Sequence, residues 1–329
     1  MTDSLRGRCE LFIGNRHILR KAFKFETTHT HALCSFLYAN EKAIADSNRI
    51  LKKKREIRKR IGALSNFASF SLLPISSLSA LDPDGEEALD RALEVYGKLR
   101  KKVYSSSYLS LAAYLLAKYS QTDLDNAIAD TVSNYDTLKR IFNRHRLGDD
   151  IVYAALLTIA GRTEAELMQV LGDCTLYLSP SISKQSVKLL SIVCTINGDC
   201  TSLCCQRFLA LKEELEKNDF KIDKNDRYTL LHIFTLACIK TPESKLSSEI
   251  LEIYSYLKQE KRFGIGFGRT QYLVYSILLL YGEYVPENES RSDPEIRSAV
   301  KGSSLSVLTS VYSVMCSEIS WALAAISVI

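Results

Sequence analysis

The sequence predicts an all-α protein built as an array of helical hairpins, either a solenoid or a closed α/α superhelix, and three observations carry that expectation. Glycine and proline are scarce, 14 and 6 in 329 residues, which argues against collagen-like, low-complexity and loop-rich β folds. No run of alternating β-branched residues is long enough to compete with helical periodicity. A short phrase also recurs, an aromatic residue, two others, leucine and a basic residue, at Tyr96-Leu99-Arg100, Tyr135-Leu138-Lys139, Phe208-Leu211-Lys212 and Tyr254-Leu257-Lys258. A degenerate copy stands at Cys174, Tyr177 and Leu178, so that successive anchors lie 39, 39, 34 and 46 residues apart. That spacing suits two helices and two short connections per unit.

The first 62 residues have a different texture from the repeat. They read as two or three helices: CELFIGNRHILRKAF, THALCSFLYANEKAI and the basic DSNRILKKKREIRKRI. Residues 63–281 hold the hairpins. Each phrase-bearing helix follows a break with start signals: Asp84, Thr122, Thr163 with Glu166 three residues on, and Thr241-Pro242-Glu243. Thr163 and Glu166 form a capping-box pattern, and Pro242 is expected at the first helical position, where its missing N–H is harmless.

Between the phrases lie more apolar stretches, Leu109 to Lys118, Val152 to Ala160, Val187 to Ile196, Tyr228 to Ile239 and Tyr272 to Tyr281. Apolar residues on most of their faces predict burial on more than one side, hence inner helices. Residues 282–302 are polar and contain two prolines, and read as an exposed connection. Residues 303–329 carry a single charged side chain, Glu318. Their length would span a bilayer, but Glu318, several serines and the thin positive flank favour a helix that caps the core.

Charge is unevenly placed. The chain carries +5, yet residues 1–62 hold 15 Lys/Arg against six Asp/Glu. Nine cysteines are scattered without a CxxC pair or a preceding secretory signal, which is expected of reduced thiols in a cytoplasm.

Four constellations are candidates for chemistry. Lys52, Lys53, Lys54, Arg55, Arg58, Lys59 and Arg60 could contact the phosphates of nucleic acid or anionic lipid. The competing reading is a solvated helix face beside the stripe Leu51, Ile57 and Ile61. Glu26, His29, His31 and Cys34 are all possible metal ligands, but two histidines two apart on a helix point about 200° from one another. Cys194, Cys200, Cys204 and Cys205 crowd together without the paired spacing of a zinc site, so core packing is expected, and His232 in LLHIFTLA is expected to be a core histidine satisfied by a backbone carbonyl. The turn through Gly264, Gly266, Gly268 and Arg269 could hold an anion at a helix start, yet lacks the GK[ST] ending of a P-loop and a preceding strand.

RCELFIGNRHILRKAFKFE, GALSNFASFSLLPISSLSAL, QEKRFGIGFGRTQ and the apolar closing helix resemble an uncharacterised family of bacterial proteins of about this length. The resemblance covers nearly the whole chain and implies an all-helical bacterial cytoplasmic protein of unknown function. It supplies no catalytic or ligand residues. In that family Ser65-Asn66-Phe67 usually continues with Arg-Gly, where this chain has Ala68-Ser69, and the closing helix is usually richer in alanine and glutamine.

No GxSxG, HExxH, EF-hand or paired-carboxylate signature is present, and His17, His29, His31, His145 and His232 have no recognisable partners in sequence. The expected function is therefore a non-enzymatic scaffold binding a protein or peptide, with no cofactor. Two alternatives stand beside it. One is an enzyme or small-ligand binder with a pocket among the inner helices, near residues 228–232 and 263–269; the other is attachment to anionic lipid or nucleic acid through residues 52–60.

Overall fold

The computed structural model describes residues 1–61, 65, 67, 69–120, 123–142, 148–199, 201–260, 263, 267–289 and 305–326. Among these there are fifteen α-helices and no strand. The described residues divide into two compact units, one of residues 10–161 with 311–326, the other of residues 1–9 with 162–289 and 305–310.

In the first unit, α1 (Asp3–Ala22, whose first residues belong to the other unit), α2 (Thr28–Asn40) and α3 (Ser47–Ile61) precede α4 (Leu72–Leu81). Then come α5 (Gly85–Leu99), α6 (Ser107–Tyr119), α7 (Leu124–Phe142) and α8 (Asp150–Ile159). Consecutive helices pack as α3 on α4, α5 on α6 and α7 on α8, while α6 also meets α8 and α5 meets α7. The second unit holds α9 (Glu164–Leu178), α10 (Lys184–Asn197), α11 (Thr201–Lys217), α12 (Arg227–Ala237), α13 (Glu243–Gln259) and α14 (Arg269–Glu289). Here α9 packs on α10, α11 on α12 and α13 on α14, with α11 touching α9 and α13, and α12 touching α10 and α14. A last helix, α15, spans Leu305–Ile326.

The recurring phrase falls on odd-numbered helices throughout, from α5 to α13. Its leucines, Leu99, Leu138, Leu178, Leu211 and Leu257, are fully buried. Truncating one of them to alanine costs about 2–5 kcal/mol, a transfer loss plus a cavity. The basic residue has a local reason as well. One helical turn after the aromatic, Lys139 Nζ stands 3.9 Å from the Tyr135 ring centroid and Lys258 Nζ 5.8 Å from that of Tyr254, a cation over a ring face. Helices α6, α8, α10 and α12 are buried nearly all round, as their apolar faces require.

Helix starts follow the chemistry of their caps. Thr163 Oγ1 accepts from Glu166 N at 3.2 Å, while the Glu166 carboxylate accepts from Thr163 N at 2.7 Å, completing the box at the start of α9. Pro242 sits one place earlier than expected, at the cap of α13, without a side-chain cap. Asp84 caps α5 without a side-chain hydrogen bond, and Thr122 lies outside the described residues.

One helix end differs from the sequence reading. α14 does not stop at Tyr281 but runs to Glu289, taking in the first eight residues of the polar stretch. Long-range contacts hold this extension. Arg8 Nη2 donates to Gly282 O at 2.8 Å, Ser4 Oγ to Glu283 Oε2 at 3.0 Å and Tyr284 Oη to Glu249 Oε2 at 2.7 Å. The rest of residues 282–302 lies outside the described residues.

α15 places Glu318 in the core, 2% exposed. Its Oε2 lies 2.9 Å from His29 Nδ1 of α2, and Trp321 flanks the imidazole at 6.1 Å between ring centroids. No helix among the described residues is long and apolar enough to cross a membrane.

Candidate functional site: a basic depression around Phe25

The basic run of α3 splits between three surroundings. Lys53 is buried, with Nζ 2.8 Å from Glu86 and 3.4 Å from Glu56. Hydrogen bonding to Lys53 holds the Glu86 carboxyl below its usual range. Lys54 is buried too, its ammonium against Glu26 and 5.6 Å from the Phe23 ring centroid. These two lysines are therefore neutralised inside the fold. Lys52 reaches Glu56 at 3.9 Å and Arg60 pairs with Asp90, both on the surface, where such pairs contribute little.

What remains on the open side is different in kind. Arg55 and Arg58 of α3, with Lys21 of α1 and Lys24 of the turn after it, line a depression of about 330 Å³. None of these four pairs with a carboxylate among the described residues, and Lys59 beside them is exposed and likewise without one. Phe25 stands in the same depression, fully exposed at 104% of its reference area. The local reason is a short turn between α1 and α2. Phe23 turns into the core, where its carbonyl meets His31 Nε2 at 2.9 Å, and Phe25, two residues on, is left outside. An exposed aromatic thus stands amid four cations that have no carboxylate partner among the described residues.

The other sequence candidates are dispersed. Glu26 goes to Lys54, His29 to Glu318 and His31 to the Phe23 carbonyl. Burial lowers the His31 pKa and pushes the Cys34 thiol up to about 12, so Cys34 is held as a protonated core thiol. The four do not converge on one point. Arg269 donates to the Asp219 carbonyl, with its guanidinium 5.5 Å from the Phe220 ring centroid, and Gly268 N donates to Gln271 Oε1 at 2.9 Å. These donors are occupied within the fold, and Gly264 and Gly266 lie outside the described residues. Cys194 Sγ lies 3.6 Å from Thr201 Oγ1, Cys205 Sγ is 3.9 Å from Cys174 Sγ, and Cys200 is not among the described residues. His232 is 1% exposed, its Nε2 without a hydrogen-bond partner, and burial pushes its pKa down to about 3.

Sequence reasoning named Arg55 and Arg58 but missed Lys21, Lys24 and Phe25, because a lone aromatic at a helix junction reads as core. The signal available was the FKF triplet at the end of the α1 pattern, where a turn sends rings two residues apart in different directions.

The family described as "Protein of unknown function (DUF4003)" matches residues 16–311. Comparison with curated proteins and with solved structures returns no match. With nearly the whole of the sequence aligned, the chain belongs to this family of unknown function.

Proposed function

We propose that the chain is a non-enzymatic helical-hairpin repeat protein that binds a short acidic segment of a partner protein in the depression around Phe25. Within each unit, the pairing of each odd helix with its even successor, and of odd with odd and even with even, supports reading α5–α8 and α9–α14 as runs of hairpins. The observation that carries the binding site is Phe25, fully exposed among Lys21, Lys24, Arg55 and Arg58.

The size and make-up of the depression favour a peptide. About 330 Å³ takes an apolar side chain or two beside the ring. Glu26 in the lining interrupts the cations, whereas a polyphosphate track asks for continuous positive potential. Carboxylates on the ligand meet the two arginines bidentately, the geometry for which guanidinium is suited.

The test is fluorescence anisotropy of a labelled acidic peptide with one central phenylalanine, against the same peptide with alanine there, a single-stranded oligonucleotide of equal charge, and anionic vesicles. Expected is binding of the phenylalanine peptide that weakens with salt. Phe25→Ala should lower its affinity about tenfold, the worth of roughly half a buried phenylalanine, and Arg55→Glu with Arg58→Glu should remove it. Tighter binding of the oligonucleotide or the vesicles transfers the site to that ligand. No binding of any of these at low salt sinks the proposal.

A further inference from the structure

A second constellation lies in the other unit, where sequence spacing gave no sign of it. α10 ends at Gly198, whose φ of +70° is the left-handed cap conformation that glycine adopts freely. Asp199 follows, two residues before the start of α11. Cys204 follows one turn into α11, and Cys238 arrives from the end of α12, which packs on both α10 and α11. One carboxylate oxygen and two sulfurs, from three separate segments, all lie within 4.8 Å of one another.

Packing accounts for the buried cysteines but not for a half-buried carboxylate set against them without a countercharge. Burial raises the Asp199 pKa, opposed by the neighbouring Asn197 and Cys238 side chains. Arg162, whose charge is felt at Asp199, is itself bonded to Glu166 at 3.1 Å. Among the described residues no cation forms an ion pair with Asp199.

We infer that Asp199, Cys204 and Cys238 form a site for a borderline-soft divalent cation of the zinc class. Two sulfurs and one oxygen disfavour magnesium and calcium, which take oxygen shells. Three protein ligands leave a fourth position for water. A tetrahedral zinc sets its donors roughly 3.5–3.8 Å apart by its usual bond lengths, so closure from within 4.8 Å needs only side-chain adjustment. Asp199 and Cys238 are partly exposed, which gives the ion an entry, while Cys204 is buried beneath them. Each thiol gives up its proton to solvent as the ion binds.

The experiment uses the full, untagged and reduced chain with Zn²⁺ and Co²⁺ as probes. Expected is one ion per chain, with the near-ultraviolet sulfur-to-cobalt absorption and the visible bands of tetrahedral cobalt. Cys204→Ser and Cys238→Ser should each weaken binding more than about a hundredfold and Asp199→Asn about tenfold or more, while Cys174→Ser leaves it intact. On the unmodified chain, where folding of variants is not at issue, Zn²⁺ should protect Cys204 and Cys238 from alkylation, read by mass spectrometry. Absence of stoichiometric binding, no protection of these two thiols, retention of the cobalt spectrum in the Cys204→Ser/Cys238→Ser double variant, or a Cys204–Cys238 disulfide in place of ion uptake overturns the assignment.

Discussion

His232 gives the chain an acid sensitivity that one substitution should remove. It is 1% exposed on α12, Nε2 has no partner, and burial alone lowers its pKa from 6.5 to about 3. The folded state therefore keeps the ring neutral at pH values where the unfolded chain protonates it. Below pH 6.5 the unfolded state binds more protons, so stability falls as pH falls, by about 1.4 kcal/mol per pH unit, until the folded pKa is reached. At pH 5 the cost is about 2 kcal/mol, and it approaches about 5 kcal/mol near pH 3. Leucine at this position fills similar space and carries no titrating group. His232→Leu should match or exceed the parent at pH 7.5, since it also removes an unpaired buried nitrogen that costs about 1–3 kcal/mol. Between pH 7.5 and 5 the parent should lose about 4–8 °C more in Tm than the variant, at 2–4 °C per kcal/mol for a unit of this size. Thermal melts of both proteins across that range measure the difference directly, and other titrating groups cancel in the comparison. Two parallel Tm–pH curves would refute the reasoning.

Two other perturbations follow from contacts already described. His29→Ala leaves the Glu318 carboxyl buried without its imidazole and should cost about 1.5–3 kcal/mol, whereas His29→Leu with Glu318→Leu should regain most of that; urea midpoints in a double-mutant cycle read both. Gly85 opens α5 where an added Cβ would stand 2.0 Å from the Ser79 carbonyl oxygen, so Gly85→Ala forces the backbone of α4 aside and should lower stability by about 1–3 kcal/mol, with an unchanged melting curve as the contrary result.

Much of the fold was legible because local rules and tertiary packing agree. The alternation of amphipathic and all-round apolar helices follows from side-chain periodicity, and Thr163 with Glu166 is a cap written in four residues. The α14 extension was illegible because Arg8 and Ser4, far away in sequence, hold a segment whose own composition favours a loop. The site was half visible for a related reason. A run of lysines and arginines shows total charge, but which members are neutralised depends on carboxylates brought by other helices, Glu26 to Lys54 and Glu86 to Lys53. Cys238 likewise joins Asp199 and Cys204 only because α12 ends beside α11; no spacing rule spans that distance.

The lone acid of α15 has a geometric consequence. A rod bearing only oily side chains fits its socket at many azimuths, since one greasy stripe substitutes for another at small loss. A carboxylate that must find the imidazole of His29 admits a single angle, because each residue advances the helix by about 100°. Glu318 thus indexes the closing rod against α2, and a one-residue insertion upstream of it would swing the acid into hydrocarbon while leaving the composition of the rod almost unchanged.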